Sequence, residues 1–226
     1  MNKLFLHNKL NKMVILITIG LVMIVLLLMY LKLNTSVSKV LQWPILYYHL
    51  PLAINTFFAY FLVMIFSVFY LRTRDEIWDI RAHSIAEVGT VFCFLVLITG
   101  SIWGRLNWGV FWSWEPRLAS MLLLFIIYII YFMVREFGGH YEQSSKLASV
   151  VGILAFIDVP IIYYAVDMWS AEAQLHPQRN IRESDPTITW ILPLAIISFT
   201  FVMASLFLYR YNIEKTIHSK LDDNNE

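Results

Sequence analysis

The chain has 226 residues, 59% of them hydrophobic and only 15% charged, with a formal net charge of +1. A soluble domain carries about a quarter charged residues, and the apolar surplus here falls in long blocks, so the composition points to a bilayer rather than to a large soluble core. Near-neutral charge implies no bulk attraction to nucleic acid. The single cysteine, Cys93, excludes a disulfide framework within the chain, and no CxxC motif is present to run thiol exchange.

The first apolar run, Met13–Leu31, follows Lys3, Lys9 and Lys12. A signal peptide has a similar basic start, but its apolar core is usually shorter and ends in a small-residue cleavage site. This run holds 19 uncharged residues and gives way to Lys32-Leu33-Asn34, so it reads as a retained membrane helix. Five further runs are long enough to cross roughly 30 Å of hydrocarbon as helices: Leu50–Leu71, Ile85–Trp103, Leu118–Val134, Leu147–Val166 and Ile188–Leu208. Short polar loops join them, with no linker that would divide the chain. The expectation is an all-α integral membrane protein, one domain over 1–226 with six transmembrane helices. The tail 215–226 reads as disordered.

Six spans put both termini on one side, and the basic residues choose which. With the termini lie Lys3, Lys9, Lys12, Arg72, Arg74, Arg81, Arg135, Lys146, Arg210, Lys215 and Lys220, eleven in all; opposite them lie Lys32, Lys39, Arg105, Arg117, Arg179 and Arg182, six in all. Both termini are therefore expected in the cytoplasm, and the loops near 32–49, 103–117 and 167–187 outside.

Tryptophan normally decorates both interfaces. Here Trp43, Trp103, Trp108, Trp112, Trp114, Trp169 and Trp190 fall at the outer face and only Trp78 at the inner one. Such asymmetry suits an aromatic platform for a flat, apolar ligand. It is densest in the loop 103–117, where Trp103, Trp108, Trp112 and Trp114 fall within twelve residues. If this piece is helical, Trp108, Phe111 and Trp112 share one face, and such a helix could lie in the interface. Pro116 suits the first turn of the fourth span, and Glu115 fits that helix's positive end as a cap.

Of the six histidines, His7, His83, His140 and His218 fall on the inner side and read as solvated or interfacial. His49 and His176 are the two outer ones, on the face that carries the tryptophans. Neutral imidazole is a common axial ligand of haem iron, and two imidazoles from separate loops could clamp one porphyrin; chance coincidence of two loop histidines with the aromatics stays open at this point. Haem propionates need cations, and Arg117, directly after the aromatic segment, is better placed than Arg179 or Arg182 to supply a bidentate partner.

Trp108-Gly-Val-Phe-Trp112-Ser-Trp114-Glu-Pro-Arg-Leu118 resembles the tryptophan-rich "WWD" signature of haem-handling membrane proteins. Together with Thr99-Gly-Ser-Ile-Trp103-Gly104, Tyr48-His49-Leu50-Pro51 and Asp158-Val-Pro-Ile-Ile-Tyr163, it is similar to the CcmC (haem exporter protein C) family of cytochrome c maturation, over about Ile45 to His176. The resemblance implies that His49 and His176 are the axial ligands and metal contacts of a transiently, non-covalently held haem b. It implies a platform of Trp103, Trp108, Phe111, Trp112, Trp114, Glu115 and Arg117. It also implies delivery to the haem chaperone CcmE, beside the transporter subunits CcmA and CcmB and the small subunit CcmD, in a bacterial inner membrane or an organelle membrane. The family usually has Asp where this chain has Glu115, and often an amide where it has Asp158. The role implied is binding and transfer, not catalysis. Rival readings are a WWD-type synthase that attaches haem to apocytochrome c, a b-type electron-transfer cytochrome and a small-molecule transporter. The short chain disfavours the first, the lack of any mid-span histidine the second, and the near-absence of midplane polar residues the third.

Overall fold

The computed structural model describes residues 2–33, 45–168 and 186–223. Every regular element among them is an α-helix: α1 (Asn2–Leu33), α2 (Leu46–Thr73), α3 (Glu76–Trp108), α4 (Pro116–Phe137), α5 (Tyr141–Ala155), α6 (Asp158–Met168) and α7 (Pro186–Asp223). In hydrocarbon each backbone N–H and C=O needs a partner within its own segment, which is why long apolar runs become helices. Five stretches of the described residues are long and apolar enough to cross a membrane: Leu46–Thr73, Glu76–Trp108, Pro116–Phe137, Tyr141–Ala165 and Trp190–Ser219; a shorter apolar stretch, Lys12–Leu28, lies within α1.

The turns are built from local chemistry. Arg74, in the left-handed region at φ 61°, ends α2 and returns its N–H to Tyr70 O. Asp75 then caps α3, its side chain accepting from Ile77 N at 3.0 Å. The reversal takes two residues, so α2 and α3 lie side by side and form the most extensive helix pair. A Cβ on Gly89 would stand 2.9 Å from Ala59 Cβ and 3.0 Å from Tyr60 Cε1, so the two backbones approach as closely as glycine allows. Next to this contact the Tyr60 and Tyr128 rings stack at 3.6 Å and 9°, carrying the core across to α4. Helix α5 packs on α2 through Gly152, α6 lies against α4, and α7 pairs with α1 while also touching α2 and α3.

Two features differ from the sequence expectation. The run Leu147–Val166 is divided into α5 and α6 by a turn at Phe156–Ile157. Pro160 has no N–H to give Phe156 O, and its ring crowds that carbonyl. The chain tightens instead, with Ile157 N donating to Leu154 O and Val159 N to Phe156 O. The tail, expected to be disordered from residue 215, continues as helix to Asp223. Glu214 pairs with Arg210 and His218 one turn away on either side, and the His218 ring lies 5.0 Å from Tyr141. Residues 224–226 lie outside the described residues.

At the end of the bundle that carries the chain ends, a buried polar cluster fastens three helices. Asp79, fully buried in the first turn of α3, accepts two parallel bonds from Arg135 of α4 at 2.6 and 2.8 Å. Tyr141 and Ser145 of α5 donate to the same carboxylate at 2.8 and 3.0 Å. Asp79 sits at a helix N-terminus and Arg135 in the last turn of another, so both charges also suit the helix dipoles.

Candidate functional site

At the opposite end the bundle is hollow among the second, third and fourth helices. The cavity between them has a volume of about 440 Å³. Leu46, His49, Leu50, Ala53, Ile54 and Phe57 of α2 form one wall; Val96, Leu97, Gly100, Ser101 and Trp103 of α3 form another. Arg117, Leu118 and Met121 of α4, Ile162 and Tyr163 of α6 and Trp112 of the intervening loop complete it. From Leu46 to Phe57 a helix rises roughly 16 Å, so the cavity runs from the tryptophan-bearing end well into the apolar layer. Its lining is overwhelmingly apolar; the polar groups are the His49 imidazole, the Arg117 guanidinium, the indoles of Trp103 and Trp112 and the hydroxyls of Ser101 and Tyr163. Ligand pockets commonly have this composition.

His49 stands in the first turn of α2, three residues after its start at Leu46. Its Nδ1 lies 2.9 Å from Thr99 Oγ1 on α3, and its ring centroid 6.2 Å from that of Trp103 at a 35° tilt. Gly100 lets the ring stand there: a Cβ at that position would come within 3.1 Å of His49 Cε1. Thus three successive features of α3, at Thr99, Gly100 and Trp103, shape the seat of one imidazole.

The tryptophan-rich segment does not form the continuous external loop or the amphipathic helix that its spacing allows. Trp103 to Trp108 belong to α3, and the helix stops at Gly109, whose φ of 77° needs a residue without a Cβ. Residues 110–115 are irregular, so Trp108, Phe111 and Trp112 share no helix face. The segment folds back instead. A Cβ on Gly104 would sit 3.1 Å from Val110 O, and Arg105 donates to Gly109 O while its guanidinium lies 5.6 Å from the Phe111 ring centroid. Trp103 and Trp108 are 5.2 Å apart at 59°, and Trp112 meets Trp114 edge-on at 5.6 Å.

The platform residues therefore divide. Trp103, Trp112 and Arg117 line the cavity with His49; Trp108 backs Trp103; Phe111 and Trp114 are exposed, 61% and 78% respectively. Glu115 is buried at 5% exposure. It occupies the N-cap position of α4 with Pro116 behind it, but its side chain makes no capping bond, so the cap expected from the sequence is positional only. Arg117 Nε donates to Ile162 O at 3.5 Å, tying α4 to α6 across the cavity mouth. The Trp112 indole N–H is buried without an acceptor among the described residues. His176, Trp43, Trp169, Arg179 and Arg182 lie outside the described residues. The contribution of Thr99 and Gly100 to the histidine seat, and of Ile54, Phe57, Met121 and Ile162 to the cavity, was missed by reading the sequence. Thr99 and Gly100 stand four and three residues before Trp103, one turn away on the same helix, and that register was the available signal.

A helical bundle with five membrane-length apolar stretches among the described residues and an imidazole- and indole-lined cavity at one end defines a multi-pass membrane protein with a predominantly apolar ligand pocket. The sequence model of the family "Heme exporter protein C", CcmC, matches residues 2–225, and the chain belongs to that family. It is 30% identical over 165 residues to the "Heme exporter protein C" of Bradyrhizobium diazoefficiens, covering 73% of this chain and 63% of that one, short of two thirds of the relative's length. It is 31% identical over 171 residues to a "Putative cytochrome c biosynthesis ccmC-like mitochondrial protein" of Marchantia polymorpha, covering 74% and 71% of the two chains. With the Escherichia coli "Heme exporter protein C" it shares 28% identity over 171 residues, 75% of this chain and 69% of that one.

Proposed function

We propose that the protein holds haem as cargo in the cavity beside His49, at the outer face of a bacterial inner membrane or its organelle counterpart, and passes it on for c-type cytochrome assembly. The observation that carries this reading is the cavity itself: one imidazole faces an apolar slot flanked by indoles, with a cation at its mouth. A flat porphyrin needs these groups, an iron ligand, apolar walls and a partner for its carboxylates. The haem is of b type and non-covalently held; Cys93, fully buried, is not placed to attach it. His176 supplies the second axial imidazole. Arg117 and the Trp112 N–H receive the propionates, which would satisfy a buried donor that has no acceptor among the described residues.

The protein is a carrier rather than a catalyst of bond making. The exposed Phe111 and Trp114 beside the cavity mouth form the surface against which the haem chaperone CcmE docks to receive the cargo. CcmA and CcmB supply ATP-driven work and CcmD completes the assembly. Both termini are cytoplasmic, in accord with the basic residues gathered on that side.

Haem titration of the detergent-solubilised protein, followed by quenching of tryptophan fluorescence, tests the seating. Arg117→Gln is expected to weaken binding by about tenfold or more, the scale of losing a hydrogen bond to a charged group. Trp112→Phe, which keeps an aromatic ring but removes the N–H, is expected to weaken it in the same direction. Unchanged affinity in both variants would remove the propionate assignment.

A further inference from the structure

We infer that Thr99 is a positioning residue that fixes the tautomer of His49, presenting Nε2 as the nitrogen that takes the iron. The inference rests on the reading of His49 as a haem ligand. Its basis is the sharing of one hydroxyl proton. Thr99 Oγ1 lies 2.7 Å from Leu95 O, and a carbonyl only accepts. Two oxygens that close require the threonine proton between them, the usual back-bond of a helical threonine to the carbonyl one turn before. The same Oγ1 lies 2.9 Å from His49 Nδ1. With its proton directed to Leu95, the hydroxyl meets the imidazole as an acceptor. His49 Nδ1 must therefore carry the hydrogen and donate it, which leaves the ring's lone pair on Nε2.

A hydrogen bond of this kind does two things to a metal-binding histidine. It holds the ring plane, and it raises the basicity of the ligating nitrogen by drawing on the opposite N–H. Here the orientation is reinforced from two sides. Gly100 permits the ring's close approach, since a Cβ there would stand 3.1 Å from His49 Cε1, and Trp103 flanks the ring one turn on. The acceptor belongs to α3, a long and well-packed helix, rather than to a loop. The imidazole is thus set before the cargo arrives, and a stronger donor nitrogen favours the ferric over the ferrous iron.

The test compares the haem-loaded wild type with Thr99→Val, Thr99→Ala, Thr99→Ser and His49→Ala, each taken as a monodisperse detergent-solubilised protein. The readouts are haem retention and the reduction potential of the bound iron. Thr99→Val has nearly the same shape but no acceptor. It is expected to weaken retention by roughly tenfold to a hundredfold, the usual cost of losing such a partner, and to raise the potential, since a weaker donor nitrogen stabilises ferric iron less. Thr99→Ala should do the same, and Thr99→Ser should behave as wild type. If Thr99→Val and Thr99→Ala match the wild type while His49→Ala loses its haem, the inference about Thr99 is overturned and His49 stands as ligand. Equal loss in the Val, Ala and Ser variants would also overturn it, because the hydroxyl would then not be the cause. If His49→Ala keeps an unaltered haem spectrum, the haem-ligand reading itself falls, and this inference with it.

Discussion

Arg135→Met is expected to destabilise the protein by about 3–5 kcal/mol. The substitution leaves Asp79 fully buried with a charge and no counterion, and an uncompensated buried charge costs that much. Tyr141 and Ser145 would still donate to the carboxylate, but they cannot neutralise it. The loss should show as a lower melting temperature in mild detergent and earlier unfolding in a denaturing one. The paired substitution Asp79→Leu with Arg135→Met removes both charges and should recover most of the stability, since apolar replacement of a whole buried pair is often close to neutral. The cluster lies at the opposite end of the bundle from His49, so the folded fraction of each variant should bind haem as the wild type does. A single Arg135→Met variant as stable as the wild type would mean that the cluster does not fasten α3, α4 and α5.

Gly100→Val is expected to abolish most haem retention without unfolding the bundle. A Cβ alone would come within 3.1 Å of His49 Cε1 and 3.8 Å of Nδ1, so the ring must give by a few tenths of an ångström even for alanine. The branches of valine enter the cavity that Gly100 lines, displace the ring further and part it from Thr99. Alanine separates the two effects. Glycine to alanine in a helix interior favours the helix by up to about 1 kcal/mol. Gly100→Ala should therefore keep or raise thermal stability while lowering haem affinity by about tenfold, a scale set by disturbing a ligand's supporting contacts. Thermal melts and haem titrations on the same preparations read both. Affinity unchanged in Gly100→Val would mean that the imidazole's present seat is irrelevant to binding.

Much of the architecture was legible in the sequence because the bilayer imposes one rule. An apolar run of sufficient length has to satisfy its backbone within itself, so hydropathy alone located the helical runs. It located the fifth run as a membrane-length stretch but did not show the break within it. The run Leu147–Val166 is continuous in hydropathy, yet Pro160 removes a backbone donor and α5 gives way to α6. It failed at the tail, where polar residues that suggest disorder instead satisfy one another around Glu214.

The site was legible in its chemistry but not in its shape. An outer histidine, a tryptophan-dense segment and Arg117 all stood out as residue types with a common use. Their spacing suggested an aromatic platform and, if helical, a helix lying flat at the surface, whereas Gly109 ends α3 and sends the chain back over Gly104. A cavity is formed by residues from four helices and a loop, and no periodicity within one helix encodes the gap between it and its neighbours. For the same reason Thr99 and Gly100 attracted no role until α3 was set beside α2. Glu115 illustrates the converse: its position at the head of α4 was readable, but not that its carboxylate would be buried without capping the helix.

The most direct measurement of the central claim is the absorption spectrum of the purified full chain loaded with haem, in the wild type and in His49→Ala. The wild type is expected to show a haem Soret band that is lost or clearly shifted in the variant, with the helical content of the two proteins the same. An identical band in both proteins would contradict the claim, because the imidazole at the wall of the cavity would then have no part in holding haem.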